Sequence, residues 1–158
     1  MNQATSAGRS ALALGGFLLI TFCAPLAGMF SLPGPWYVAL DKPAWNPPAW
    51  IFGPAWTLLY TLMAIAAWLV WKRGGWRRPL PLYFVQLLLN AAWTPIFFGA
   101  HQLAWALVEI VALWIAILLT LLSFRRVSKT AGWLFAPYLA WVTFAAILNF
   151  TLWRMNPG

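Results

Sequence analysis

Five stretches of this sequence, residues 11–32, 51–71, 80–99, 103–124 and 131–153, carry a single charged residue between them, Glu109. At about 1.5 Å of rise per residue, a helix of about 20 residues matches a hydrocarbon core about 30 Å thick. The runs are continuously apolar, without the alternating polar face of a membrane β-strand. The expected class is therefore an all-α integral membrane protein, a bundle of five transmembrane helices. With 63% hydrophobic and 8% charged residues, the chain could not cover the surface of a water-soluble domain. The spans occupy nearly all of residues 1–158, which reads as a single membrane domain. The first run is too long for the apolar core of a signal peptide. Phe22 also precedes Cys23 where a lipoprotein site needs a small residue, so the span reads as retained. One cysteine allows no internal disulfide.

The net charge of +8 suggests nucleic-acid binding until the charges are placed. With five spans, the N-terminus shares a side with the second-to-third and fourth-to-fifth connections. That side holds Arg9, Lys72, Arg73, Arg77, Arg78, Arg125, Arg126 and Lys129, and the opposite side holds Lys42 and Arg154. So uneven a distribution predicts a cytoplasmic N-terminus if the protein lies in a cell membrane, with an outer membrane as the alternative location. The partners it implies are lipid headgroups and no nucleic acid.

Three connections are short, which makes successive spans antiparallel neighbours. The first, residues 33–50, is long and rich in proline and aromatic residues. Its indoles argue against disorder, and it is expected to fold over one mouth of the bundle as a lid. Within residues 42–56 the triplet Pro-Ala-Trp occurs three times, ending at Trp45, Trp50 and Trp56. The first two fall in the loop and the third in the second span. Four prolines, Pro25, Pro54, Pro95 and Pro137, are expected to interrupt helical hydrogen bonding inside spans. Ala24 and Gly28 form a small-residue pair suited to close helix approach.

Helical periodicity collects the aromatic and amide residues on single faces. Phe52, Trp56 and Tyr60 stand one above another in the second span. Gln86, Asn90, Trp93 and Phe97 form a stripe in the third, and Tyr138, Trp141, Ala145, Leu148 and Asn149 lie close to one face of the fifth. An amide deep in lipid must find a partner. Asn90 and Asn149 either bind helices together or line a cavity with the aromatic rings, where stacking would hold a flat apolar ligand and amides would orient it. Trp71, Trp76, Trp105, Trp133 and Trp153 suit interfacial belts. Two acids, one histidine and one cysteine build no catalytic triad, metal cluster or carboxylate pair. No metal and no required cofactor are expected. His101 reads as a polar turn residue more readily than as a haem ligand. Glu109 either pairs with a neighbour, snorkels, or marks a proton or ligand path.

The runs "WNPPAWIFGPAWTLLYTLM", "LLLNAAWTPIFFG" and "FAPYLAWVTFAAILN" resemble the TspO/MBR family of tryptophan-rich sensory proteins and mitochondrial translocator proteins. The likeness runs in order from Pro25 to Arg154. It implies a five-helix bundle with a pocket opening towards the long loop, a homodimer as the assembly, and ligands such as protoporphyrin IX, sterols and benzodiazepine- or isoquinoline-type drugs. Matched motif by motif, the implied ligand contacts are Trp45, Phe52, Trp56, Tyr60, Asn90, Trp93, Trp141, Ala145 and Leu148. The sterol-recognition segment of animal members corresponds to Leu148, Phe150 and Arg154. Phe150 stands where those members have tyrosine, which favours a bacterial, tetrapyrrole-related role over sterol binding.

The resemblance leaves three functions open. The first is a membrane receptor or carrier for porphyrins. The second is an enzyme that degrades protoporphyrin IX with light and oxygen, with Trp56 and Trp141 as its candidate catalytic residues. The third is a regulatory scaffold.

Overall fold

The computed structural model describes residues 2–76 and 79–157, with side chains from Ala7 onward. The first span begins as α1 (Asn2–Cys23) and tightens into a 3-10 segment over Ala24–Phe30. A short helix α2 (Pro35–Ala39) and a 3-10 turn (Ala49–Ile51) punctuate the long connection. The remaining spans are α3 (Phe52–Gly74), α4 (Pro79–Thr94) with a π-helical turn (Pro95–Gly99), α5 (Leu103–Val127) and α6 (Lys129–Met155). Five helices are long and apolar enough to cross a membrane: Ala7–Phe30, Ala49–Gly74, Pro79–Gly99, Leu103–Val127 and Lys129–Met155. Each lies within a few residues of its expected position. The first begins earlier than its apolar run, and the second, fourth and fifth run on past theirs into basic residues or toward the chain's turns. There Lys72, Arg73, Arg125 and Arg126 sit at helix C-termini, where cations favour the dipole.

The spans close into a ring. Contacts run from α1 to α3, α3 to α6, α6 to α5, α5 to α4, and from α4 back to the 3-10 end of the first span. Small residues allow this closure. Gly28 lies so close to Thr94 that an added Cβ would stand 2.8 Å from its Cγ2, which accounts for the Ala24 and Gly28 pair. Gly132 lies likewise against Arg125, with an added Cβ 2.6 Å from the arginine Cβ. Ser128 ends α5 and starts α6, its hydroxyl accepting from the Ala131 N–H at 3.3 Å.

The four prolines play different parts. Pro54 falls in the first turn of α3, where a backbone N–H would have no intrahelical partner and its absence costs nothing, so the expected interruption does not occur there. Pro25 opens the 3-10 segment and Pro95 opens the π turn. Pro137 alone sits deep inside a regular helix.

The ring is solid at its basic end and hollow at its loop end. Tyr83, Phe124, Phe135 and Tyr138 are fully buried and pack ring on ring, Phe124 and Phe135 with centroids 5.2 Å apart. Thr21 hydrogen-bonds the Tyr83 hydroxyl within this plug. The basic end carries Arg9, Lys72, Arg73, Arg125, Arg126 and Lys129, whereas Arg77 and Arg78 lie outside the described residues. Arg73 donates to the Val127 carbonyl at 3.2 Å, and Arg125 lies over the Trp133 ring at 5.4 Å. Trp76, Trp105, Trp133 and Trp153 turn outward near helix ends, as interfacial residues do.

Candidate functional site

The hollow end is a cavity of about 590 Å³, within the range that takes a small organic ligand. Its floor is a hydrogen-bonded chain across three helices. Tyr60 of α3 donates to Asn90 Oδ1 at 2.7 Å, and Asn90 Nδ2 donates to the Tyr138 hydroxyl at 2.9 Å. A second amide holds the far wall: Asn149 Oδ1 accepts from the Trp93 indole at 3.3 Å, and its Nδ2 donates to the Leu103 carbonyl at 2.9 Å. Both asparagines therefore bind helices together and line the cavity at once. The two alternatives posed by the sequence are one arrangement.

Aromatic faces make the walls. Trp56 stacks on Tyr60 at 5.3 Å and meets Trp141 edge-on at 6.4 Å. Trp93 stacks on Phe97 at 4.7 Å. Phe52 does not continue the column below it; it turns to Trp141, edge-on at 5.8 Å. Phe52, Trp56, Tyr60, Asn90, Trp93, Trp141, Ala145 and Leu148 all line the cavity. Trp45 does not. It is 47% exposed and lies behind Phe144, edge-on at 5.9 Å, so it supports a wall residue instead of forming the wall.

Phe150 and Arg154 point out of the bundle while Leu148 points in, because a two-residue step on a helix reaches the opposite face. These three residues form no common surface. Gln86, one turn below Asn90, is fully buried outside the cavity, and its amide has no hydrogen-bond partner among the described residues. Glu109 also lies off the cavity, and both its carboxylate oxygens are buried without a partner among the described residues. It makes no salt bridge among the described residues.

The loop roofs the cavity. Pro33, Tyr37, Val38, Asn46, Pro47 and Ala49 contribute to the lining. Sequence reasoning missed Asn46, whose Oδ1 is buried without a partner among the described residues while its Nδ2 donates to the Pro47 carbonyl at 3.2 Å. An asparagine before two prolines reads as a turn former, and nothing in the sequence directs its side chain inward. His101 takes a left-handed backbone with φ 56° and stacks on Trp36 at 4.3 Å, pinning the loop to the α4–α5 turn. It is a turn residue away from the cavity, in no position to ligate a haem there.

The cavity offers flat aromatic faces, two indole N–H groups without hydrogen bonds among the described residues (Trp56 and Trp141), and one free acceptor on Asn46. Fold and cavity together define a multi-pass helical membrane protein with an aromatic cavity beneath its long loop. The TspO/MBR family model matches residues 13–154, and the chain belongs to that family. It is similar to the translocator protein of Homo sapiens, 47% identical over 78% of this chain and 76% of the relative. It is also similar to the tryptophan-rich protein TspO of Chlorobaculum tepidum, 44% identical over 93% and 95% of the two chains. Protein CrtK of Rhodobacter capsulatus is 43% identical over 86% and 88%.

Proposed function

We propose that the chain is a membrane receptor or carrier for porphyrin-class ligands, held in the aromatic cavity beneath the loop. The single observation that carries this reading is the edge-on pairing of Trp56 and Trp141 in the wall of a 590 Å³ cavity floored by the Tyr60–Asn90–Tyr138 chain. A flat conjugated ring system suits such walls, because stacking is favourable over its whole face. The free indole N–H groups and Asn46 Oδ1 suit the few polar groups at its rim or centre. The sensory and translocator names of relatives agree with a protein that takes up a ligand and responds to it or passes it on. The basic end faces the cytoplasm in this reading, so the loop and cavity mouth face the other side.

The test is a dark titration with protoporphyrin IX. Tryptophan quenching should saturate at one ligand per chain, and Trp56→Phe with Trp141→Phe should weaken it. Repeating the titration under light separates binding from the light-driven degradation reading, which the adjacency of two oxidisable indoles favours as the second choice. Loss of porphyrin absorbance no faster than in ligand alone removes that second reading.

A further inference from the structure

We infer that the groove between α3 and α6 is a lateral entrance, and a first binding site, by which an apolar ligand dissolved in the bilayer reaches the cavity. The inference rests on the cavity being the ligand site proposed above. Ala55, Leu58 and Leu59 of α3 and Pro137 and Ala140 of α6 line a shallow groove of about 450 Å³ on the outside of the bundle. Trp141 and Phe144 line both this groove and the cavity. One indole and one phenyl ring thus stand between the lipid and the interior.

Several features make this partition the movable part of the wall. The Trp141 indole N–H donates no hydrogen bond among the described residues. By contrast Trp68, Trp93 and Trp114 are tied to the Ser10 carbonyl at 2.9 Å, Asn149 at 3.3 Å and Thr143 at 2.8 Å. Trp141 meets Phe52, Trp56 and Phe144 only edge-on or tilted, with no stacked face to hold it. Pro137, one turn before Trp141, leaves the Trp133 carbonyl without its helical donor and weakens α6 beside the partition. In front of the rings stand the methyl groups of Ala55 and Ala140, so a ring swinging outward meets little resistance.

The chemistry of the route fits its occupant. The groove walls are almost wholly apolar, and a ligand that passes along them never exchanges lipid for water. The groove begins in the first turn of α3, at the loop end of the bundle. An amphiphilic plate can therefore slide its ring between the helices while its acidic groups stay among the lipid headgroups. Entry under the loop would instead require the ligand to leave the bilayer and the roof to lift from its contacts with α6 and the α4–α5 turn.

The test reads rates. Wild type, Ala140→Phe and Ala55→Phe in phosphatidylcholine nanodiscs are mixed in the dark with phosphatidylcholine vesicles holding protoporphyrin IX or pyrene. Tryptophan quenching is followed by stopped flow, and empty nanodiscs give the rate of transfer between membranes. Ala55 and Ala140 line the groove and not the cavity, so the added phenyl group obstructs the route at its outer side. Association and dissociation rate constants should fall together by about tenfold, a barrier about 1.4 kcal/mol higher, with the dissociation constant within about twofold of wild type. Unchanged rates in both variants would overturn the lateral route, and Asn156→Leu accelerating both rates would then place entry under the loop. A weakened dissociation constant with unchanged association would also overturn it, making the groove part of the site and not its entrance. Binding of pyrene without protoporphyrin IX would overturn the porphyrin reading and leave the route to be read from pyrene. Binding of neither would overturn both.

Discussion

Asn156 grips the backbone of Asp41 with both ends of its side-chain amide. Its Oδ1 accepts from the Asp41 N–H at 2.9 Å, and its Nδ2 donates to the Asp41 carbonyl at 3.0 Å. The same Nδ2 also donates to the Leu152 carbonyl at 2.9 Å, so the grip is fixed to the last turn of α6. Next to it, Lys42 Nζ donates to the carbonyls of Val38 and Leu40 and lies over the Tyr37 ring at 4.8 Å. The loop is thereby fastened from the far end of the chain, 115 residues away in sequence.

Replacing Asn156 by leucine should free the loop without disturbing the bundle. The Asp41 amide should exchange with solvent faster, while helical circular dichroism stays at the wild-type level. Losing two interelement hydrogen bonds at about 1 kcal/mol each predicts about thirtyfold weaker ligand binding if the roof must close over the ligand. Unchanged amide exchange would show that the clasp does not hold the loop.

His101 and Trp36 fasten the other side, and two substitutions separate backbone from ring. His101→Gly removes the stack but suits the left-handed backbone, whereas His101→Ala loses both. The alanine variant should be less stable than the glycine variant by about 1 kcal/mol in thermal unfolding in detergent. Equal stability would mean that the turn relaxes to another conformation.

The Tyr60–Asn90–Tyr138 chain should behave as a unit. Asn90→Leu leaves two buried hydroxyls without their partner and should cost about 2 kcal/mol. Adding Tyr60→Phe and Tyr138→Phe removes those orphaned groups and should restore most of the stability. A triple variant no more stable than Asn90→Leu would contradict the account of the floor.

Close helix approach makes a sharper contrast. Gly132→Ala places a methyl group 2.9 Å from the Arg125 Cα, so backbone must move and about 1–3 kcal/mol should be lost. Gly15→Ala meets nothing within 4 Å and should gain up to about 1 kcal/mol of helix propensity. Similar melting temperatures for the two would show that α5 and α6 can separate at little cost.

The spans and the cavity walls were legible in the sequence for a common reason: both are written in helical period. Runs of apolar residues the length of a bilayer mark the helices, and the spacing of Trp56 and Tyr60, of Asn90 and Trp93, and of Trp141, Ala145 and Leu148 places each set on one face. The TspO/MBR resemblance rests on those same stretches, and the family match covers them. The loop obeys no such period. Trp45 was expected in contact with ligand and stands behind Phe144, while Asn46 beside it turns inward. Phe52 is at the junction, where the 3-10 turn hands over to α3, and its ring follows Trp141 in place of the helical column. Proline carried no single meaning either, since its effect depends on its distance from a helix start, as Pro54 and Pro137 show. Gln86 and Glu109 are polar positions within spans that have no partner among the described residues, and periodicity could not distinguish them from Asn90.

The most direct test of the central claim is dark binding of protoporphyrin IX to the wild type and to Ala145→Phe. Ala145 lines the cavity with a small side chain, so a phenyl group there fills space the ligand needs while leaving the floor and the clasp intact. Wild type should show saturable quenching at one ligand per chain, and Ala145→Phe should bind at least about tenfold more weakly with unchanged helicity. Equal affinity in a folded Ala145→Phe protein, or no saturable binding to wild type, would contradict the assignment of the cavity as a porphyrin site.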